Sequence, residues 1–314
     1  MQHTVNPHAT PAAKALLHNL CETAGHAIIT GQHTQTNPME EIAYIRSVTG
    51  KEPLLRGFEL LSYSPNICYT DASEACLTEI YENRGTLETA LRWAMQSKGI
   101  LTFTFHWFSP LGGHDKSFYS KNTDFDPTRI LLTDSAERRA FYRDLDVIAA
   151  LLKPFLQNDI PILWRPFHEA DGTWFWWGSR GPEIACRLYQ MMYDRFTDKH
   201  HLDNLLWVWN CPLRTGYPGD AYVDVISTDI YLPAYEATDY ADAYHALIQN
   251  TTSRKVAALG EVGYLPDIRL LAQSRVPWAY YMTWSKEFCI GEQYNRTAAL
   301  RDLYESPYAR TLPD

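Results

Sequence analysis

Glu169 and Glu261 are the residues of this chain best suited to carry chemistry. Each closes an apolar, strand-like run, residues 161–169 (PILWRPFHE) and 255–263 (KVAALGEVG). Two carboxylates facing one another across a cleft are the machinery of glycoside hydrolysis. One is held neutral to give a proton to the leaving oxygen, and the other stays ionised to attack the anomeric carbon. Unlike surroundings can split two such pKa values. Taken alone, Glu169 could instead close a strand-end salt bridge with Arg165, since structural ion pairs also use strand-end carboxylates. Glu261 sits between Gly260 and Val262-Gly263 with no nearby sequence partner, and burying it idle would be costly.

The elements that position these groups follow from hydrophobic periodicity. Eight strand-like runs are read at residues 27–32, 54–60, 100–107, 161–169, 205–210, 223–231, 255–263 and 278–284. Helical patterns lie at 11–20, 86–97, 135–157, 183–196, 240–248 and 297–304. Strands apolar enough to be buried on both faces, alternating with helices, predict a parallel sheet. Eight of them close economically into a single (β/α)8 TIM barrel, one domain over residues 1–314. A doubly wound sheet would want G-x-G-x-x-G after the first strand, and Gly31-Gln32-His33 does not supply it. In a barrel, function gathers at the C-terminal strand ends. Those ends read His106 and Trp107, then Arg165, His168 and Glu169, then Trp209 and Asn210, Asp229 and Tyr231, Glu261, and Trp284. Long loops at 108–126 and 170–181 follow the third and fourth strands.

Composition narrows the partners. The 314 residues carry 28 Lys+Arg against 37 Asp+Glu, a net charge of −9, with no basic run to hold a nucleic acid. No apolar stretch is long enough to span a membrane. No basic stretch followed by an apolar core opens the chain. The protein is expected outside the cell if a leader was removed, and in the cytoplasm if it begins at Met1. Aromatic residues reach 13%, including 10 Trp, and are densest in residues 164–178 (WRPFHEADGTWFWWG). Flat rings stack on sugar rings, so one or two of these Trp are expected to face substrate while the rest pack the loop. The six cysteines form no C-x-x-C pair. They are read as free or buried thiols, with Cys68 and Cys76 close enough in sequence for a local disulfide.

The run Arg165-Pro166-Phe167-His168-Glu169, followed by Gly172, Trp174 and the Trp-Phe-Trp-Trp-Gly end, resembles the signature of glycoside hydrolase family 26, most of whose members are endo-β-1,4-mannanases. Gly260-Glu261-Val262-Gly263 resembles the family's nucleophile motif. Phe105-His106-Trp107 with Gly112-Gly113 and Phe118-Tyr119 resembles its third-strand loop, and Tyr231 after Asp229 its sixth-strand tyrosine. The resemblance implies a retaining double displacement on mannan, glucomannan or galactomannan, with Glu169 as general acid/base and Glu261 as nucleophile. It further implies that His168 orients the nucleophile or the sugar. Tyr231 would hydrogen-bond Glu261, and His106, Trp107, Trp174 and Trp284 would line the subsites. Arg165 is expected as a charge partner in the barrel mouth, and Asp229 as a sugar ligand or a loop brace. Retention asks for carboxyl groups roughly 5–5.5 Å apart.

Other readings want residues that are missing. A zinc peptidase needs H-E-x-x-H, and His168-Glu169 is followed by Ala170-Asp171-Gly172. An α/β-hydrolase needs G-x-S-x-G. A non-catalytic sugar-binding barrel could dispense with one of the two glutamates. Within the family, β-1,3-xylan and mixed-linkage β-glucan are the alternative substrates, and Ser285-Lys286-Glu287 after Trp284 maps onto no specificity pattern. Arg56 and Glu59 are read as a charge pair inside the barrel or as residues of the mouth. No metal or organic cofactor is implied, since a carboxylate pair needs none. The expected partner is a neutral β-mannan-type polysaccharide or oligosaccharide, met by a monomer.

Overall fold

The computed structural model describes residues 2–313. In chain order the strands are β1 (Ile28–Ile29), β2 (Gly31–Thr34), β3 (Leu55–Glu59), β4 (Ile100–Thr104), β5 (Ile162–Trp164), β6 (Leu205–Asn210), β7 (Val225–Ile230), β8 (Val256–Val262), β9 (Trp278–Thr283) and β10 (Ala309–Arg310). The helices are α1 (Pro11–Thr23), α2 (Glu40–Thr49), α3 (Glu74–Glu82), α4 (Thr86–Ser97), α5 (Ala136–Gln157), α6 (Pro182–Asp194), α7 (Ala241–Ile248), α8 (Ile268–Ser274) and α9 (Thr297–Glu305). Strands β2 through β9 pair in parallel in sequence order, and β9 returns to pair with β2. The expected (β/α)8 barrel is therefore closed. Its first strand is split at Thr30, so that β1 pairs with β9 and with the extra strand β10.

The sequence dictates two packing layers. Strand side chains alternate faces. Ile29, Leu55, Leu163, Leu206, Val208, Val225 and Val256 form one buried cluster with Leu16, Leu17 and Leu20 of α1, which plugs the N-terminal end of the barrel. The opposite alternation sends Leu101, Phe103, Ile162, Trp164, Leu205, Trp207 and Trp209 against the surrounding helices. Helix α5 shows the matching stripe: Phe141, Leu145, Ile148, Leu152 and Phe155 are buried, and Ser135 caps it by accepting from the Arg138 amide.

Several expectations change here. Helices α2, α3 and α8 are additional, running 10, 9 and 7 residues. The third and fourth strands end early, at Thr104 and Trp164, so His106, His168 and Glu169 stand in the exit turns. All six cysteines are free, so the Cys68–Cys76 bridge does not form. Arg56 and Glu59 do not pair: Arg56 reaches Glu52 at 2.5 Å outside the barrel, and Glu59 turns to His106. The aromatic excess is mostly core, since seven of the ten Trp are fully buried.

Candidate active site

A bulge places Glu261. Simple alternation along β8 would carry Val256, Ala258 and Gly260 inward and Glu261 outward. The pairing with β7 shifts instead, from Thr228 opposite Leu259 to Asp229 opposite Glu261, leaving Gly260 as the extra residue. A bulge re-aims the side chain that follows it, and Glu261 points into the barrel mouth. A Cβ at 260 would lie 2.6 Å from Asp229 Oδ1 and 2.8 Å from Asn210 Nδ2, so any side chain there would displace the Asp229–Asn210 contact.

Glu169 is aimed by backbone strain rather than by a strand. It and Phe167 both adopt left-handed φ, 51° and 53°, an uncommon conformation for such residues. The Glu169 amide donates to Asn210 Oδ1 at 2.6 Å. Its carboxylate accepts the Trp174 indole N–H at 2.6 Å.

The two glutamates thus meet in one mouth. Carboxylate oxygens of Glu169, Asp229 and Glu261 lie within 4.8 Å of one another. Arg165, fully buried, ion-pairs with both Asp229, at 3.0 Å, and Glu261, and also donates to Thr104. Tyr231 Oη donates to Glu261 Oε2 at 2.9 Å. Asp229 accepts from Asn210 Nδ2 at 2.7 Å. Its carboxylate is committed to these two braces.

Three carboxyls around one guanidinium cannot all ionise cheaply in a buried site. Burial and then the Asp229 charge push Glu169 up to about 7, against the smaller pull of the Trp174 N–H. Burial raises Glu261 as well, with Arg165 opposing, the Glu169 charge adding to the rise, and Tyr231 pulling back. Burial likewise pushes Asp229 up to about 7, so protons are shared within the cluster, and Arg165 and Tyr231, which touch Glu261 and not Glu169, favour the anion at Glu261. The arrangement can therefore present one proton donor and one nucleophilic carboxylate at neutral pH.

The remaining expected residues divide. His106 Nδ1 pairs with Glu59 Oε2 at 2.7 Å. Burial alone would lower the His106 pKa, but the Glu59 carboxylate carries it above the ordinary value. His168 is buried edge-on to His106, centroids 4.8 Å apart, and touches neither glutamate through a hydrogen bond. Burial and the His106 and Arg165 charges keep it neutral. Trp174 is 47% exposed and Tyr231 43%, and both stand in the mouth. Trp284 is half-buried there, facing His106.

Trp107 does not line the cleft. It is 1% exposed, its indole N–H donates to Asp144 of α5, and it packs on Phe141. Trp107 keeps the outward phase of Leu101, Phe103 and Phe105 just past the strand end, while His106 turns inward. Trp176 and Trp177 are likewise structural, donating to the carbonyls of Trp107 and His168. Sequence reasoning missed Glu59 as the partner of His106, and Thr104 as a brace of Arg165. It read Asn210 only as a strand end. No spacing signal marks such contacts, which are made between strands rather than along one.

Residues 5–312 match the profile described as glycosyl hydrolase family 26. Similar curated proteins include a mannan endo-1,4-beta-mannosidase of Thermothelomyces thermophilus, 35% identical over 98% of this chain and 62% of the relative. Another is a mannan endo-1,4-beta-mannosidase B of Piromyces sp, 31% identical over 96% and 51%. The chain thus spans about half to three fifths of the length of these relatives. Among solved structures, the Podospora anserina GH26-CBM35 beta-(1,4)-mannanase superposes with a TM-score of 0.87 at 34% identity, covering 99% of this chain and 68% of that one. A beta-mannanase from a symbiotic protist of the termite Reticulitermes speratus, complexed with gluco-manno-oligosaccharide, gives 0.86 at 26% identity over 99% and 96%.

Proposed function

The chain belongs to glycosyl hydrolase family 26, and on that premise we propose that it is a retaining glycoside hydrolase cleaving β-1,4-mannosidic linkages in mannan-type polymers. One catalytic domain, residues 1–314, carries the activity. The observation that supports this reading most directly is the Glu169–Glu261 approach within 4.8 Å. An approach this short between the two carboxylates' facing oxygens agrees better with the ~5–5.5 Å carboxyl spacing of a direct nucleophile than with the ~6.5–9.5 Å that leaves room for a water in inverting enzymes.

In the first step Glu261 attacks the anomeric carbon while Glu169 gives its proton to the leaving glycosidic oxygen. A covalent glycosyl–Glu261 ester forms and the aglycone departs. In the second step Glu169, now ionised, takes a proton from water. The water oxygen attacks the same carbon, Glu261 leaves, and the sugar is released with its configuration retained. Tyr231 and Arg165 hold Glu261 in line. Trp174, bonded to the acid, together with Trp284 and His106 would line the subsites next to the cut.

The relatives' names favour mannan over other β-glycans. Incubating the protein with mannan, glucomannan, β-1,3-xylan and lichenan tests this. Release of oligosaccharides from the first two, with the β-anomer formed first by NMR, is the expected result. Inactivity on both mannan-type polymers, or an initial α-anomer, would overturn it.

A further inference from the structure

His33 is the least explained buried group in the barrel. It lies on β2 with no exposed surface, and neither ring nitrogen has a hydrogen-bond partner among the described residues. A buried imidazole without partners is costly, so something at this position favours the ring. Its face supplies the reason. The imidazole stacks on the Trp284 indole, centroids 4.0 Å apart and planes within 22°. This is the closest stacked pair in the mouth, and it covers the inner face of Trp284. Burial, with the His106 and Arg165 charges, holds the ring neutral, as a flat stacking partner should be.

The same strand also ties the backbone that carries Trp284. Gln32 Nε2 donates to the carbonyls of Thr283 at 3.1 Å and Trp284 at 3.0 Å. Just beyond, Gln35 Nε2 donates to Ser285 Oγ at 3.3 Å. Lys286, in a left-handed conformation, gives its amide to Glu41, which also accepts from Thr34. The Ser285-Lys286 turn, which matched no specificity pattern, is thus anchored from the first barrel strand and the helix that follows it. A seat beneath the ring and a clamp on the chain converge on one indole.

We propose that His33 is a positioning residue, acting through Trp284 to set the plane of the sugar platform against Glu261. The proposal rests on the glycosidase reading in taking Trp284 as that platform. Its logic is geometric. A sugar stacked on a tilted ring presents its anomeric carbon off the line of attack, and misplacement of about 1 Å can cost ~100-fold in rate.

Kinetics of His33→Ala, His33→Phe, Trp284→Ala and the double variant His33→Ala/Trp284→Ala on mannohexaose test this, with thermal melting in parallel. We expect His33→Ala to lose at least tenfold in kcat/KM. His33→Phe, which keeps a flat ring, should recover most of that loss. The double variant should be no worse than Trp284→Ala alone, because both changes remove one interaction. Near-ultraviolet circular dichroism needs no substrate: His33→Ala and Trp284→Ala should remove the same indole band, and His33→Phe should keep it. Losses that multiply, no recovery by Phe, or unrelated dichroic changes would overturn the proposal. If the wild-type protein cleaves no mannan, the substrate reading fails by itself, and the dichroic comparison still decides the role of His33.

Discussion

Arg165 ion-pairs with Glu261 and not with Glu169. The two glutamates share a mouth, yet among the described residues only Glu261 has a cation in contact. The other receives a single indole N–H. On the proposed assignment this asymmetry divides acid from nucleophile, and the pH profile should report it. Glu169, pushed up to about 7, must be protonated to assist the leaving group. The sign follows: kcat/KM on mannan should fall as pH rises through about 7, when the acid loses its proton. In Glu169→Gln that alkaline limb should vanish on an aryl mannoside whose leaving group needs no proton, while mannan hydrolysis collapses. A limb that persists in the variant would assign the titration to another group.

Glu261→Ala tests the covalent step. Removing a nucleophile costs at least ~10⁴-fold in comparable sites, so mannan cleavage should become undetectable. Added azide should restore turnover of an activated glycoside and yield the α-linked azide, since it attacks from the face the carboxylate has vacated. Recovery of a β-azide would exclude Glu261 as the attacking group.

Tyr231 and Arg165 both hold Glu261, but they differ in burial and so in what their loss should do. Tyr231 is half exposed. Tyr231→Phe removes one hydrogen bond to a charged oxygen, worth about 1.5–3 kcal/mol, and should lower kcat roughly 10–100-fold with little change in melting temperature. Arg165→Met strands two buried carboxyls and should cost ~3–5 kcal/mol in urea unfolding. Equal effects of the two changes on stability would contradict this division.

Trp174 and Trp176 are two residues apart and should behave oppositely. Trp174→Ala removes an exposed ring and the donor that opposes the rise of the Glu169 pKa. The expected result is a higher KM, an alkaline limb moved upward and an unchanged melting temperature. Trp176→Ala opens a cavity in the core and should cost ~3–5 kcal/mol of stability.

Much of this arrangement is legible in the sequence, for physical reasons. Eight apolar runs bounded by turns specify a parallel barrel. The barrel in turn gathers its strand exits, so Arg165, Asp229, Tyr231 and Glu261 could be expected together from topology alone. What resists reading is orientation at single-residue resolution. Trp107 adjoins His106 in sequence yet faces the helix layer, and Gly260 reverses the phase that would have turned Glu261 outward. Pairings across strands, such as Glu59 with His106, leave no mark in either segment. Nor does an aromatic count separate core from platform: Trp176 and Trp174 look alike in sequence and differ in burial.

Gln32 meets Thr283 where the last barrel strand returns to the first, and Trp284 hangs on that junction. During synthesis on the ribosome, both glutamates emerge before the element that completes their pocket. Activity should therefore switch on only with ring closure. Complementing fragments split anywhere between β3 and β8 should stay silent until they reassociate, which makes turnover itself a reporter of the final folding event.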